Sequence, residues 1–295
     1  MFNNVLKSLA LLQLSWLLPM ANVSVAADVS YSSLSPKVQQ LEVELNGKIG
    51  ISIYDTSNNS NWHYNGERRF PLMSTFKTLA CAKLYSDVEK GAITLSHSNK
   101  VAETSLVTWS PVTKKLIGQP FTLKQSCAAT MLMSDNTAAN YILSAIGGPA
   151  ALTEFMREIG DNVTRLDRIE PELNEATPGD IRDTTTPNAM VKSLHTLLFQ
   201  NVLSPPSKKQ LLQWMIDNKI TGNLFRSVLP KSWKIADRSG SGGYGSRAIN
   251  AIIWPNQDSA LIISIYITQS NVSFAKQNQT IADIGKMIFS LHTAD

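Results

Sequence analysis

The sequence predicts an α/β protein of the α+β type, in which both ends of the chain pair into one antiparallel sheet around an inserted helical lobe. Three observations support this. A strand pattern that runs into a turn lies early, at residues 47–59. Apolar residues at helical spacing dominate the middle of the chain, and strands joined by short turns stand near its end. A two-lobed body with a cleft between the lobes is therefore expected.

The first 27 residues are predicted to be a secretory signal peptide. Lys7 is the one charged residue there, "SLALLQLSWLLPM" is apolar, and "SVAA" supplies the small residues of a cleavage site before Ala27 or Asp28. The alternative, a transmembrane anchor, needs about 20 apolar residues, whereas polar residues and a proline interrupt a shorter run here. We therefore expect residues 28–295 to be exported across the inner membrane into the periplasm, with no anchor after cleavage.

The elements follow in order. "GKIGISIYDTSNN" predicts a strand and hairpin, and "STFKTLACAKLYSDVEKG" predicts a long helix from Ser74. Residues 122–160 predict further helices, followed by helices at "TPNAMVKSLHTLLF" and "SKKQLLQWMIDN". "KIADRSG", "SRAINAIIWP" and "ALIISIYIT" predict three more strands, and a terminal amphipathic helix follows. The prediction is a five-stranded sheet flanked by terminal helices.

These elements divide the chain into two lobes. The sheet lobe is predicted to comprise about residues 28–66 and 219–295, and the helical lobe about residues 67–218. Hydrophobic content of 43% and 17% charged residues are typical of a globular protein with a large core. The net charge of +4 is spread without runs of like charge, which argues against nucleic acid as a partner.

The two cysteines, Cys81 and Cys127, are expected to pair because an exported protein meets an oxidising compartment. Two buried free thiols are the alternative. A bridge across a loop of this length would stabilise the fold by roughly 4 kcal/mol in the chain-entropy model.

Three short motifs carry groups that can do chemistry. In "STFK", Ser74 and Lys77 stand at i and i+3 on a helix, so the ammonium can reach the hydroxyl. Alone this signal is weak, because "SFAK" at Ser273 to Lys276 repeats the pattern on a predicted helix surface. "SDN", starting at Ser134, has the composition of a helix cap. "RSG", residues 238–240, could be a solvated hairpin end or a carboxylate site.

Taken together, the order and separation of these motifs resemble the serine β-lactamases and penicillin-binding proteins. The resemblance extends over the whole mature chain and implies a β-lactamase/transpeptidase-like fold. It implies that Ser74 is the nucleophile, that Lys77 and Ser134 move protons, and that Cys81 and Cys127 match the disulfide of the family.

The stretch "RIEPELNEA" resembles the loop of the class A β-lactamases that hydrolyses the acyl-serine intermediate. The resemblance implies that Glu170 is the general base for water, and that Asn174 helps to hold this water. Pro171 restricts the backbone beside the glutamate, in a bond that is commonly cis in the family. Arg168 and Asp183 resemble the salt bridge that closes the neck of this Ω loop.

Arg238 departs from the usual pattern, since most relatives have lysine there. With "FPLMSTFKTLACAK" and "MLMSDNTAAN", it resembles the carbenicillin-hydrolysing branch of class A, and a planar cationic fork suits α-carboxylated penicillins. Trp109 matches an aromatic position at the cleft mouth, although it could also cap a hydrophobic patch. The implied substrate-binding residues are Trp109, Asn136, Asn174, Arg238, Ser239, Gly240, Ser241 and Arg247.

Three other functions use related chemistry. A D,D-peptidase shares the serine, the lysine and Ser-Asp-Asn but does not need the Glu170 loop, and a penicillin-sensing receptor domain is acylated without turnover and is normally attached to a membrane segment. A zinc-dependent lactamase needs clustered ligands, whereas the four histidines are scattered along the chain. We therefore expect a monomer that hydrolyses small-molecule β-lactams without a metal or other cofactor.

Overall fold

The structure is a computed structural model that describes residues 31–293. The predicted signal peptide lies outside the described residues. The α-helices are α1 (Leu34–Leu45), α2 (Phe76–Glu89), α3 (Leu123–Met133), α4 (Asn136–Ala145), α5 (Gly148–Glu158), α6 (Pro187–Phe199), α7 (Pro205–Ile216) and α8 (Phe274–Ser290). The strands are β1 (Lys48–Asp55), β2 (Ser60–Tyr64), β3 (Phe70–Pro71), β4 (Ser98–Lys100), β5 (Pro120–Thr122), β6 (Thr184–Thr185), β7 (Lys234–Gly242), β8 (Ser246–Trp254) and β9 (Leu261–Thr268).

Five of these strands form one antiparallel sheet in the order β2-β1-β9-β8-β7. The first and last parts of the chain meet where β1 pairs with β9, with Ile51 opposite Ile265. The predicted five-stranded antiparallel sheet is confirmed. Because β7 is an edge strand, its outer side is free to contact the helical region.

The sheet is buried on both faces, and each face packs on a different core. Isoleucines at every second position of β1, beginning at Ile49, pack with α1 and α8 in one core. The opposite face contributes Ile252, Ile262 and Tyr266 to a second core, which is shared with α2 and the other helices of the middle region. This second core holds the helices against the sheet and so fixes the geometry of the cleft between them.

Local signals explain where several helices begin. Thr186 caps α6 by accepting a hydrogen bond from the N–H of Ala189, and Ser204 caps α7 in the same way. Each of these helices then opens with a proline, which needs no hydrogen-bond partner there. The short pairs β3–β6 and β4–β5 were not predicted, because strands of two or three residues are too short to show a periodic pattern.

The Cys81–Cys127 disulfide joins α2 to α3, with a Cα–Cα distance of 5.9 Å. Both cysteines are fully buried. The alternative of two free thiols is therefore wrong. The bridge ties the helix that follows Ser74 to the helix that ends immediately before Ser134.

Within residues 31–293, no helix is both long and apolar enough to cross a membrane. In the same part of the chain, no three His, Cys, Asp or Glu side chains are grouped closely enough to hold a metal ion.

Candidate active site

Ser74 lies in a short 3-10 helix, Met73–Thr75, that leads directly into α2. The φ angle of Met73 is +49°, a conformation that few residues other than glycine adopt. Strand β7 passes directly behind this turn at Gly240. A Cβ atom at Gly240 would lie 2.8 Å from Met73 Cβ and 3.0 Å from the Ser74 nitrogen. Glycine is therefore required for β7 to approach the serine so closely.

Lys77 lies one turn after Ser74 and is completely buried. Its Nζ donates to the Ser134 carbonyl at 2.9 Å, to Ser134 Oγ at 3.1 Å and to Asn136 Oδ1 at 2.6 Å. Glu170 Oε1 is 3.1 Å from the same nitrogen. An ammonium has three protons, and the three hydrogen bonds use all of them. Glu170 Oε1 is the ion-pair partner of the ammonium and accepts none of these three hydrogen bonds.

Burial lowers the pKa of Lys77 to about 8. The charge of Glu170 opposes this shift, and the charge of Arg238 adds to it. The pKa of Lys77 is thus close enough to neutrality for the amine both to take up and to release a proton, which an exposed lysine does not do.

The Ser-Asp-Asn segment is both a helix junction and part of the site. Asp135 is the N-cap of α4 and accepts from the N–H of Ala138. Ser134 ends α3 in the left-handed conformation, with φ of +59°. This conformation turns the chain so that Ser134 and Asn136 both contact Lys77. The Asn136 amide is itself fixed by donating to the Thr108 carbonyl at 2.8 Å.

The Ser134 hydroxyl lies at the centre of a hydrogen-bond network. It accepts from Lys77 Nζ and from Arg238 Nη2, and it donates to Ser74 Oγ at 3.1 Å. Two lone pairs and one proton are all that a hydroxyl has. The two cations therefore direct the single proton of Ser134 towards Ser74.

The Ω loop places Glu170 against this network. Asn140 of α4 holds the glutamate backbone on both sides: its Oδ1 accepts from the Glu170 N–H and its Nδ2 donates to the Glu170 carbonyl, each at 2.8 Å. The Glu170–Pro171 bond is cis. Asn174 Nδ2 donates to Glu170 Oε2. The side chain of Glu170 is almost fully buried beside Lys77.

The neck of the loop is closed by the ion pair between Arg168 and Asp183, as the resemblance implied. Arg168 Nε lies 2.6 Å from Asp183 Oδ2. Asp183 Oδ1 also accepts from the backbone N–H groups of Asp167 and Arg168, at 2.8 and 2.9 Å. Arg168 further contacts Glu175 within the loop. These contacts tie both ends of the loop to one buried carboxylate.

Arg238 is fully buried, and its guanidinium faces protein acceptors. Besides Ser134, it donates to the Ser74 carbonyl at 3.1 Å and, in a longer contact, to the Met131 carbonyl at 3.4 Å. Burial lowers its pKa to about 10, so it remains cationic at neutral pH. The sequence showed a cation at this strand but did not show that it lies directly behind Ser134.

Arg247 of β8 supplies a second cation. Its Nε donates to Asn278 Oδ1 and its Nη1 donates to the Gly240 carbonyl, both at 2.8 Å. Burial lowers the pKa of Arg247 to about 10, which again leaves it charged at neutral pH.

These residues surround a cleft of about 440 Å³. Trp109 stands at the rim with 57% of its surface exposed, and its Nε1 donates to the Met133 carbonyl at 3.0 Å. Lys77, Glu170 and Arg238 are in contact with the lining residues from behind. The lining residues are Ser74, Trp109, Ser134, Asn136, Asn174, Ile220, Asn223, Ser239, Gly240, Ser241, Arg247 and Phe274.

The structure places the predicted catalytic and substrate-binding residues in this cleft or directly behind it. Arg238, predicted to contact the substrate, does not line the cleft, because its guanidinium is fully buried against Ser134 and the Ser74 carbonyl. Sequence reasoning missed Ile220, Asn223 and Phe274 in the cleft wall, and it missed Asn140, which clamps the Glu170 backbone. Asn140 lies one turn after Asn136 on α4, and this spacing is the signal that could have found it.

A serine on a strained turn, a buried amine of lowered pKa and a buried carboxylate define a hydrolase that works through an acyl-serine. Comparison with known proteins agrees. The model described as "Beta-lactamase enzyme family" matches residues 33–291. The chain is 50% identical to β-lactamase CARB-3 of Pseudomonas aeruginosa over 96% of its own length and 98% of that protein. It is 47% identical to β-lactamase AER-1 of Aeromonas hydrophila over 87% of this chain and 85% of that one.

Solved structures are equally similar. The chromosome-encoded β-lactamase of Vibrio parahaemolyticus has a TM-score of 0.87 and 52% identity, covering 89% of this chain and 100% of that one. An ancestral class A β-lactamase has a TM-score of 0.85 and 43% identity, covering 87% and 99%. The chain belongs to the β-lactamase enzyme family, and the resemblance inferred from its motifs is confirmed. It is a hydrolase that acts on β-lactams.

Proposed function

We propose that this protein hydrolyses the β-lactam amide of penicillins, including carbenicillin, through an acyl intermediate on Ser74, and thereby confers resistance to these antibiotics. One observation carries this proposal. Glu170 Oε1 and Asn174 Oδ1 are buried acceptors without a hydrogen-bond partner, on neighbouring side chains of the Ω loop. A water molecule has two protons to donate, and this pair of acceptors suits it.

Acylation uses the hydrogen-bonded route from Ser74 Oγ through Ser134 Oγ to Lys77 Nζ. Neutral Lys77 takes the Ser134 proton, Ser134 takes the Ser74 proton, and Ser74 Oγ attacks the lactam carbonyl. When the lactam C–N bond breaks, the same route returns the proton through Ser134 to the departing nitrogen. Glu170, acting through water, is the second base that can start this step.

Backbone N–H groups stabilise the negative charge that develops on the carbonyl oxygen. Gly243, the residue that follows β7, donates its N–H to the Asn174 carbonyl at 2.8 Å, on the side of the strand that does not pair with β8. N–H direction alternates along a strand, so the Ser241 N–H, two residues earlier, faces the same edge. It acts with the N–H of Ser74, which the close approach of β7 brings nearby.

Deacylation needs water at the acyl carbonyl. Glu170 takes one proton from this water, the hydroxyl adds to the ester carbon, and the C–O bond to Ser74 breaks as the serine recovers a proton. Asn174 orients the water. A D,D-peptidase or a penicillin sensor has no need for this loop, so its buried carboxylate favours the lactamase over both alternatives.

The polar wall opposite Ser74 binds the substrate. Ser239 and Arg247 hold its carboxylate, with the buried charge of Arg238 behind them, while Asn136 and Ser241 contact the amide groups that flank the lactam. Trp109 closes the cleft mouth. The cleft lies between a sheet lobe, about residues 28–66 and 219–295, and a helical lobe, about residues 67–218. We place the mature protein in the periplasm as a monomer.

Turnover of three substrates tests this function. The protein with residues 1–27 removed, mixed in turn with benzylpenicillin, carbenicillin and a cephalosporin, should open the lactam ring of both penicillins catalytically. The decrease in the absorbance of the lactam measures the rate of ring opening. Opening of a single equivalent of lactam without further turnover would instead indicate a sensor or a peptidase.

Arg238→Ala should lower kcat/KM for benzylpenicillin roughly 10- to 100-fold, because a charge-assisted hydrogen bond contributes about 1.5–3 kcal/mol. Arg238→Lys restores the charge but not the planar fork. It should keep penicillin turnover and lower the preference for carbenicillin over benzylpenicillin. Steady-state kinetics on both substrates give this ratio, and an unchanged ratio would remove the link between Arg238 and α-carboxylated penicillins.

The pH dependence of acylation tests the role of Lys77. In the Glu170→Gln variant the charge that raises the pKa of Lys77 is lost, so this pKa should fall below about 8. Since only the neutral amine can take a proton, the acylation rate of this variant should rise with pH up to that pKa and then level off. Stopped-flow measurements across this range provide the test. A rate that does not change with pH would exclude Lys77 as the base.

A further inference from the structure

Phe274 is an exposed aromatic residue in the wall of the cleft that the proposed mechanism does not use. It is the first residue of α8, and 54% of its surface is accessible to solvent. Its ring centroid lies 4.8 Å from the Cζ atom of Arg247. This distance is within the range of a cation–π interaction. The guanidinium that the mechanism uses to bind the substrate carboxylate therefore lies over this ring.

Arg247 is held from three directions. Asn278 Oδ1 fixes its Nε and the Gly240 carbonyl fixes its Nη1, both along the edge of the guanidinium plane. The Phe274 ring supplies the third contact, beneath the guanidinium carbon. Phe274 and Asn278 stand at i and i+4 on α8, so a single turn of helix supplies both the ring contact and the hydrogen bond to Arg247 Nε.

The remaining donors of Arg247 are its Nη2 group and the second proton of Nη1. Arg247 lines the cleft, as do Ser239 and Gly240. A guanidinium that could rotate about its side chain would present these donors in many orientations. The two hydrogen bonds and the contact with the Phe274 ring hold the guanidinium in one orientation, so its free donors lie in one plane. Less conformational entropy is therefore lost when a carboxylate binds.

We infer that Phe274 is a positioning residue for Arg247: its ring holds the guanidinium in the plane that binds the carboxylate on the thiazolidine ring of a penicillin. This inference rests on the proposed function. The aromatic ring acts on the cation and so on substrate capture, which is measured by the second-order rate of acylation. Deacylation, which depends on Glu170 and water, does not involve Phe274.

Two substitutions separate the effect of the aromatic ring from the effect of side-chain volume. Phe274→Leu keeps an apolar side chain but removes the aromatic face, whereas Phe274→Tyr keeps the face. Phe274→Leu should lower the acylation rate constant for benzylpenicillin about 2- to 5-fold, the range expected for a cation–π contact at an exposed site, and leave the deacylation rate unchanged. Phe274→Tyr should retain the wild-type rate. Phe199→Leu, at an exposed phenylalanine outside the cleft lining, is the matched control.

Two further measurements show whether the effect passes through Arg247. Adding Phe274→Leu to Arg247→Ala should cause no further loss, because the cation is already absent. With the methyl ester of benzylpenicillin, which lacks the carboxylate, Phe274→Leu should react as fast as the wild type. The ester experiment uses no substitution at the buried Arg247, so it stands even if Arg247→Ala folds poorly.

The outcomes are distinct. A loss with Phe274→Leu that persists in the Arg247→Ala background or with the ester would overturn the inference, because the ring would then contact the substrate itself. Equal acylation rates for wild type and Phe274→Leu would also overturn it. In both cases the wild-type protein still turns over benzylpenicillin. Only a wild type without turnover would count against the proposed function.

Discussion

Replacing Glu170 by Ala or Gln should slow deacylation by about 10²–10⁴-fold, the usual contribution of a general base, and slow acylation much less. Acylation has Lys77 and the Ser134 hydroxyl available as a second proton route. Deacylation relies on the one buried carboxylate that lies beside Asn174, where the water is held. A burst that opens one equivalent of lactam ring as the acyl-enzyme, followed by a very slow steady state, is therefore expected in stopped-flow absorbance.

Glu172→Ala is the matched control, since Glu172 is an exposed carboxylate two residues further along the same loop. It should turn over penicillin at close to the wild-type rate. Near wild-type turnover by Glu170→Ala would mean that the Ω loop has only a structural part, and the peptidase and sensor alternatives would have to be reconsidered.

Ser74→Ala should abolish the covalent adduct altogether. The Thr75 hydroxyl on the same turn is fully buried and donates to the Leu72 carbonyl. The Ser134 hydroxyl accepts from Lys77 and from the guanidinium of Arg238. Intact mass spectrometry after mixing with benzylpenicillin should show an unmodified protein.

Ser273→Ala tests the specificity of this result, because Ser273 also precedes a lysine by three residues. It should form the adduct as the wild type does. The Ser273 hydroxyl only caps α8, by accepting from the Lys276 N–H at 3.2 Å on the protein surface. An adduct that survives Ser74→Ala would place the nucleophile elsewhere.

The comparison of Ser74 with Ser273 also shows what the sequence can and cannot predict. Both serines start a helix with lysine at i+3, so local spacing cannot separate them. Burial separates them: Lys77 is fully enclosed, whereas the Lys276 side chain is 42% exposed and its amine pairs with Glu44. The order of three motifs along the chain selects Ser74 and Lys77, because that order reflects the whole fold and not one turn of helix.

The strand and helix order was predictable for a related reason. Long apolar patterns in the sheet and helices report which face is buried. Contacts that join distant segments through one polar atom leave no such pattern. Asn140 holds Glu170 across thirty residues, and Phe274 covers Arg247 from another element. The contact of Arg238 with Ser134 also leaves no pattern, since the sequence shows the charge of Arg238 but not where its side chain points.

Localisation of the adduct in the Glu170→Gln variant tests the central claim most directly. The variant and the wild type are mixed with benzylpenicillin, quenched over a time course, digested and sequenced by tandem mass spectrometry. The proposed mechanism predicts a penicilloyl group on Ser74 in both proteins, lost rapidly from the wild type as substrate is consumed and retained by the variant. An adduct on any other residue, or equal lifetimes in the two proteins, would contradict it.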